Sequence, residues 1–168
     1  MQKETLADFF AEYIKDTQEK ANVPDRKLFL CRLTMAVAKG INIEESARGV
    51  YITSRCLKHL FDKKPAEEFL FILKHLYEIV RYPDKIYLDS REKRGEFCFI
   101  KTIGNSEYFC SIEKVRTPVV VSEIQIATVF RLRDDKYIKK YTLLWDWGNG
   151  APHRSALDTP EESTSTPQ

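Results

Sequence analysis

Between Pro65 and Pro83 the chain carries a run that is apolar on almost every side of a helix, with Phe69, Leu70, Ile72, Leu73, Leu76 and Ile79 spread around it. A helix of that kind has no wet face, so the rest of the chain has to enclose it. Pro65 suits a first helical turn, and Glu67 and Glu68 place acids where the helix dipole favours them. Pro83 ends the run. His75 lies inside it and reads as a structural histidine with a local partner.

Beyond this helix the chain is β-prone. Ile86-Tyr-Leu88 reads as a strand, and Glu96–Lys101 with Tyr108–Val115 as a hairpin across Thr102-Ile-Gly-Asn105. Pro118 to Arg133 supplies a long strand, Asp134 to Tyr141 a short helix, and Leu143-Leu-Trp145 a last apolar segment. Upstream, Leu28 to Ala38 reads as extended and Val50-Tyr-Ile-Thr53 as a short strand. The expected fold class is α+β, with helices packed on one face of an antiparallel sheet of about four strands. At 168 residues this is one domain.

Two appendages flank the expected 25–147 body. Residues 1–24 hold an amphipathic helix, with Leu6, Phe9, Phe10, Tyr13 and Ile14 on one stripe and Thr5 with Asp8 as a capping box. That stripe could pack on the domain or on a partner protein. Residues 148–168, with Gly148, Gly150, Pro152 and a run of Thr, Ser, Pro and Glu, are expected to be a disordered tail. The acidic start (Glu4, Asp8, Glu12) does not read as a signal peptide, and no apolar run has the length of a membrane span. Four cysteines without framework spacing read as buried reduced thiols, hence a cytoplasmic chain. Cys56-x-x-His59 has the spacing of half a metal site, which Cys98 and Cys110 would have to complete.

The charge is unevenly distributed. Residues 26–145 hold 23 Lys/Arg against 15 Asp/Glu, net +8, while residues 1–25 and 146–168 are each net −3. A basic body between acidic ends suits a polyanion such as RNA, though a Lys-rich solvated surface would look the same.

Several chemistries are excluded by missing motifs. The six glycines are scattered, so no phosphate loop forms, and neither HExxH, a nucleophile elbow nor a CxxC pair occurs. One oriented histidine remains. In Ser54-Arg-Cys-Leu-Lys-His-Leu-Phe-Asp62, with Ser54 as the expected N-cap, Cys56, Leu57, Leu60 and Phe61 gather on one side. His59 points roughly 130° from their centre at 100° per residue, beside Arg55 and Lys63. An imidazole on a firm helix in basic company suits proton transfer.

The run Ile52-Thr-Ser-Arg-Cys-Leu-Lys-His59, the link Tyr82-Pro-Asp-Lys-Ile-Tyr87, the strand Phe97-Cys-Phe-Ile-Lys101 and the end Thr128-Val-Phe130…Tyr137-Ile-Lys-Lys140 occur in order. Together they resemble the phage-associated nucleases of the barnase/EndoU/colicin/RelE-like superfamily, over residues 50–145. That resemblance implies a small α+β effector that cleaves RNA without metal or cofactor. It also implies roles: His59 as the helix acid or base, Lys101 on phosphate, Thr128 as a hydroxyl donor, and Tyr137 and Lys140 on the helix after the late strand. Lys93 and Arg94, before the hairpin, are electrostatic candidates, as is Arg55 beside His59.

The alternation of the long strand cuts across one of these roles. Val120, Ile124, Ile126, Phe130 and Leu132 share the even face, so Thr128 falls among apolar residues unless a bulge re-aims it. Gln125 and Arg131, on the odd face, would then be the better-placed polar groups. Two functions stand side by side: an RNA-cleaving nuclease, and a non-catalytic module on the same scaffold that binds a protein, with the N-terminal helix as its surface.

Overall fold

The structure, a computed structural model, describes residues 3–89, 96–117 and 120–152. In chain order it forms α1 (Leu6–Tyr13), β1 (Lys27–Arg32), α2 (Met35–Gly40), β2 (Gly49–Thr53), α3 (Ser54–Lys63) and α4 (Ala66–Arg81). Then come β3 (Lys85–Leu88), β4 (Phe97–Ile103), β5 (Ser106–Thr117), β6 (Val120–Leu132) and β7 (Thr142–Asp146). The fold is α+β, but among the described residues the sheet has seven strands rather than about four, in the order β1-β2-β6-β5-β4-β3-β7. It is mixed: β2 runs parallel to β6, and every other pair is antiparallel.

The enlargement has local causes. Leu28–Ala38 is not one extended run: Thr34 caps Val37 N with its hydroxyl and starts α2 on the Ala-containing stretch after it. The segment around Leu143 pairs with β3 and becomes an edge strand. The expected helix from Asp134 to Tyr141 shrinks to a single 3-10 turn at Asp135–Tyr137, opened by the Asp134 side chain accepting from Lys136 N.

One face of the sheet wraps α4. Phe69, Ile72, Leu76 and Ile79 pack against Phe99, Cys110, Ile112, Ile124 and Val129 from the sheet. Trp145 on edge strand β7 donates its Nε1–H to Gly40 O of α2 (3.1 Å), which lies between β1 and β2 at the other edge. The sheet therefore curls around α4 until its two edges approach. The enclosure is incomplete, because Leu70 and Tyr77 remain 58% and 49% exposed. His75 is half-buried, with Nδ1 at 3.0 Å from Glu78 Oε1 and its ring against Phe71.

The stripe of α1 is consumed by this core. Phe9 and Ile14 are fully buried, and Phe10 packs its ring on Phe61 and Phe69. The capping box forms: Thr5 Oγ1 accepts from Asp8 N, and Asp8 accepts from Thr5 N. So the N-terminal helix offers no free apolar face to a partner protein. At the other end, Ala151 is buried and donates its N–H to Pro83 O, so the body extends beyond residue 147; residues 153–168 of the expected tail lie outside the described residues.

Candidate functional site

α3 starts one residue earlier in its capping than the sequence suggests. Thr53, not Ser54, is the N-cap, accepting from Cys56 N at 3.0 Å. Ser54 is instead buried, accepting from Arg26 N and donating to Pro24 O, which clamps the chain before β1 onto the helix. Cys56, Leu57 and Leu60 are buried on the core side. His59 is exposed on the opposite side, as its helical angle requires, and it lines two adjoining cavities.

The first is a polar cleft of about 670 Å³ between α3, the chain before β1 and the outer face of β5 and β6. Arg55, His59, Lys27, Gln125 and Glu113 meet there. Lys27 is already ion-paired with Glu123 (2.6 Å), and Gln125 donates to Glu123 Oε2 (3.0 Å). Desolvation pushes the Glu123 carboxyl up, but Lys27 and Gln125 pull it below the ordinary range, so it stays an anion that fixes both neighbours. The Glu113 side chain, opposite Gln125 across β5 and β6, makes no hydrogen bond or ion pair within the described residues.

The second cavity, of about 240 Å³, lies on the same outer face beyond His59 and holds Thr128, Ser111, Asp89, Phe109, Tyr137 and Tyr141. A β-bulge puts Thr128 there. Ser111 pairs with Thr128 while Ile112 pairs with Ile126, so Ala127 is an extra residue on β6. Before it, Ile124 and Ile126 face α4; after it, Val129 does. Thr128 is thereby turned away from the core, beside Ser111 and near Phe130, whose ring stacks on Phe109 at 4.6 Å. Phe130 and Leu132 point the same way and form a second apolar cluster with Cys98, Ile100 and Phe109.

The same bulge separates residues that plain alternation puts together. Gln125 stays on the cleft face, but Arg131 turns to the α4 side. There its backbone N–H donates to Glu68, and Arg133 pairs with the same carboxylate. Arg131 is thus not beside His59. Neither is Lys101: it pairs in register with Tyr108 on the α4 face, its ammonium 3.7 Å from Asp84, with Gly150 packed close by. Asp84 also accepts from Thr102 N at 2.7 Å, so Lys101 belongs to a buried staple at the end of β4.

Tyr137 and Lys140 sit over the second cavity rather than on a regular helix. The Tyr137 ring meets Phe109, Phe130 and Tyr141 edge-on, and the Lys140 ammonium lies 4.7 Å above it. Lys64 lies 5.1 Å from the Phe130 ring, adding a second cation to this rim. Burial, with Tyr137, Cys98 and Asp89 around it, pushes the Tyr141 phenol up to about 12, so it remains a hydrogen-bond donor. Lys93 and Arg94 lie outside the described residues.

All four cysteines are buried thiols outside any disulfide, and burial raises Cys31 to about 12 and Cys110 well above the ordinary thiol value, so neither of these two is poised as a nucleophile. Among the described residues no three His, Cys, Asp or Glu side chains gather as metal ligands would. The two cavities also hold Glu113, Ser111, Asp89 and Tyr141, which no sequence motif marks. Glu113 and Ser111 were readable in principle, since counting on from the Gly104-Asn105 turn places Phe109, Ser111 and Glu113 on one face of β5.

No helix among the described residues is long and apolar enough to cross a membrane. The chain matches no family model, no curated protein and no solved structure.

Proposed function

We propose that the chain is a metal-independent endoribonuclease whose reaction centre is the rim shared by the two outer cavities. The observation that carries this reading is the position of His59. It stands exposed on a firmly packed helix, with a carboxylate and a guanidinium in the cleft on one side and hydroxyls and aromatic rings on the other. That is the inventory that cleavage of a ribose phosphodiester needs.

In such a step the 2′-oxygen forms a bond to phosphorus and the bond from phosphorus to the 5′-oxygen breaks. One group removes the 2′-hydroxyl proton and another delivers a proton to the departing 5′-oxygen. His59 and Glu113 line the same cleft and take these two roles. Arg55 and the Gln125 amide face the charge that develops on the phosphorane, with the Thr128 hydroxyl on the far side of His59. Lys101 and Arg131 have no part, being on the other face of the sheet.

The products would carry a 2′,3′-cyclic phosphate and a 5′-hydroxyl. Incubating end-labelled single-stranded RNA with the protein in EDTA should yield those ends. Cleavage that vanishes in EDTA and returns with a divalent ion contradicts the reading.

The competing reading, a non-catalytic module that binds a protein, draws on β7. Its Leu143, Leu144 and Trp145 are exposed on a sheet edge. That reading expects intact RNA at every enzyme concentration.

A further inference from the structure

We infer that the cavity beyond His59 is a pocket for one unpaired RNA base, which sets where along a strand the cut falls; this rests on the cleavage reading above. The cavity differs from the cleft in kind. Its lining combines the rings of Phe109, Tyr137 and Tyr141 with the polar side chains of Ser111 and Thr128. Rings and hydrogen-bonding groups in one small cavity match a flat heterocycle with a polar edge, and every nucleobase offers that combination.

The lining contains a group that folding alone does not explain. Ser111 is 3% exposed, and its Oγ has no hydrogen-bond partner among the described residues. A buried hydroxyl left unsatisfied costs about 1–3 kcal/mol, so such groups usually have a partner in the working state. Cys98 and Thr128 flank Ser111 in the sheet register on β4 and β6, and neither side chain bonds to that oxygen. A base edge entering from the Tyr137 side would supply the missing bond.

Lys64 and Lys140, seated on the rings of Phe130 and Tyr137, are outside the pocket where the flanking phosphates would pass. Duplex RNA keeps its bases stacked and out of reach, so the substrate is a single strand or loop.

The test separates base binding from cleavage. The four ribonucleoside 3′-monophosphates, and ribose 5-phosphate as a base-free control, are titrated calorimetrically into His59→Ala protein. Saturable binding of nucleotides but not of ribose 5-phosphate is expected, weakened about tenfold or more by Tyr137→Ala, the scale of one lost stacking contact. Ser111→Ala should weaken it too without lowering the melting temperature, because the hydroxyl it removes holds nothing in the fold. Nucleotide binding that is unchanged in both variants, or matched by ribose 5-phosphate, overturns the base pocket. If the nucleotides bind as expected and wild type leaves RNA intact, the pocket stands and the cleavage reading falls. If RNA is cut with a sequence preference that Ser111→Ala and Tyr137→Ala leave unaltered, cleavage stands and the pocket falls.

Discussion

Replacing Lys58 by Met should destabilise the protein far more than an ordinary surface ion pair would. The Lys58 side chain is 7% exposed and its ammonium is fully engaged. It donates to Asp62 Oδ1 at 2.8 Å, to Thr17 Oγ1 at 2.8 Å and to Gln18 O at 2.6 Å. Asp62 is only 10% exposed, and its other oxygen accepts from Lys20 N at 3.0 Å. This network fastens the loop after α1 to α3. Met keeps the length of the stem but removes the charge, leaving Asp62 screened from water without its cation. Breaking one partner of a buried pair costs about 3–5 kcal/mol; with Asp62 close to the surface the lower end applies, about 3 kcal/mol. Replacing both residues, Lys58→Met with Asp62→Leu, should recover most of that loss. Urea unfolding monitored by circular dichroism gives both numbers. A single-mutant cost below about 1 kcal/mol, the range of exposed pairs, would show that water reaches this ion pair and that the network does not fasten the loop.

The same network gives a pH dependence. Desolvation pushes the Asp62 carboxyl up, but the hydrogen bonds from Lys58 and Lys20 and the Lys58 charge pull it below the ordinary carboxylate range. A carboxyl depressed in the folded state stabilises above its unfolded value, and that contribution disappears as pH falls through the folded value. The stability gap between wild type and Lys58→Met should therefore hold from neutrality down to about pH 4, then close in stronger acid.

Leu60→Ala, at a fully buried position on the core side of α3, should cost about 2–5 kcal/mol in the same assay, and a cost under about 1 kcal/mol would place the helix differently. Gly40→Ala would put a Cβ 2.5 Å from Trp145 Nε1, so the indole should swing away, shift its fluorescence to the red and cost about 1 kcal/mol for the lost hydrogen bond. Unchanged emission would mean that the two sheet edges do not meet there. Glu68 is pushed up by burial but drawn below the ordinary range by Arg133 and the Arg131 N–H, so Glu68→Gln should lose its destabilising effect in acid, where the wild-type carboxyl also protonates. A stability gap that stays constant down to about pH 2 would contradict that assignment.

The features legible in the sequence and the features hidden from it have separate physical causes. Local signals carried through: the Thr5–Asp8 capping box, the hairpin around Gly104-Asn105 and the outward angle of His59 all depend on residues a few positions apart. The parallel pairing of β2 with β6 does not, because it joins Val50 to Ile124 and no local pattern encodes the crossover. α2 was hidden by β-prone neighbours, since its only start signal is the single hydroxyl of Thr34. In the site, the extra Ala127 decided most assignments. One small residue reverses the facing of everything after it on β6, bringing Thr128 to His59's side and taking Arg131 away. The resemblance alone put Lys101 on phosphate; its ammonium instead faces Asp84, which lies 17 residues upstream on a different segment.

If His59 performs proton transfer at the rim between the two outer cavities, its removal must slow the chemical step and leave the fold alone. The decisive quantity is the single-turnover rate of single-stranded RNA cleavage in EDTA, compared between wild type and His59→Ala. A fall of about 10²–10⁴-fold is expected, the usual contribution of a general acid or base, with a melting temperature unchanged because the side chain is exposed on α3. A His59→Ala protein that cuts RNA at the wild-type rate, or a wild type that leaves RNA intact, contradicts this role for His59.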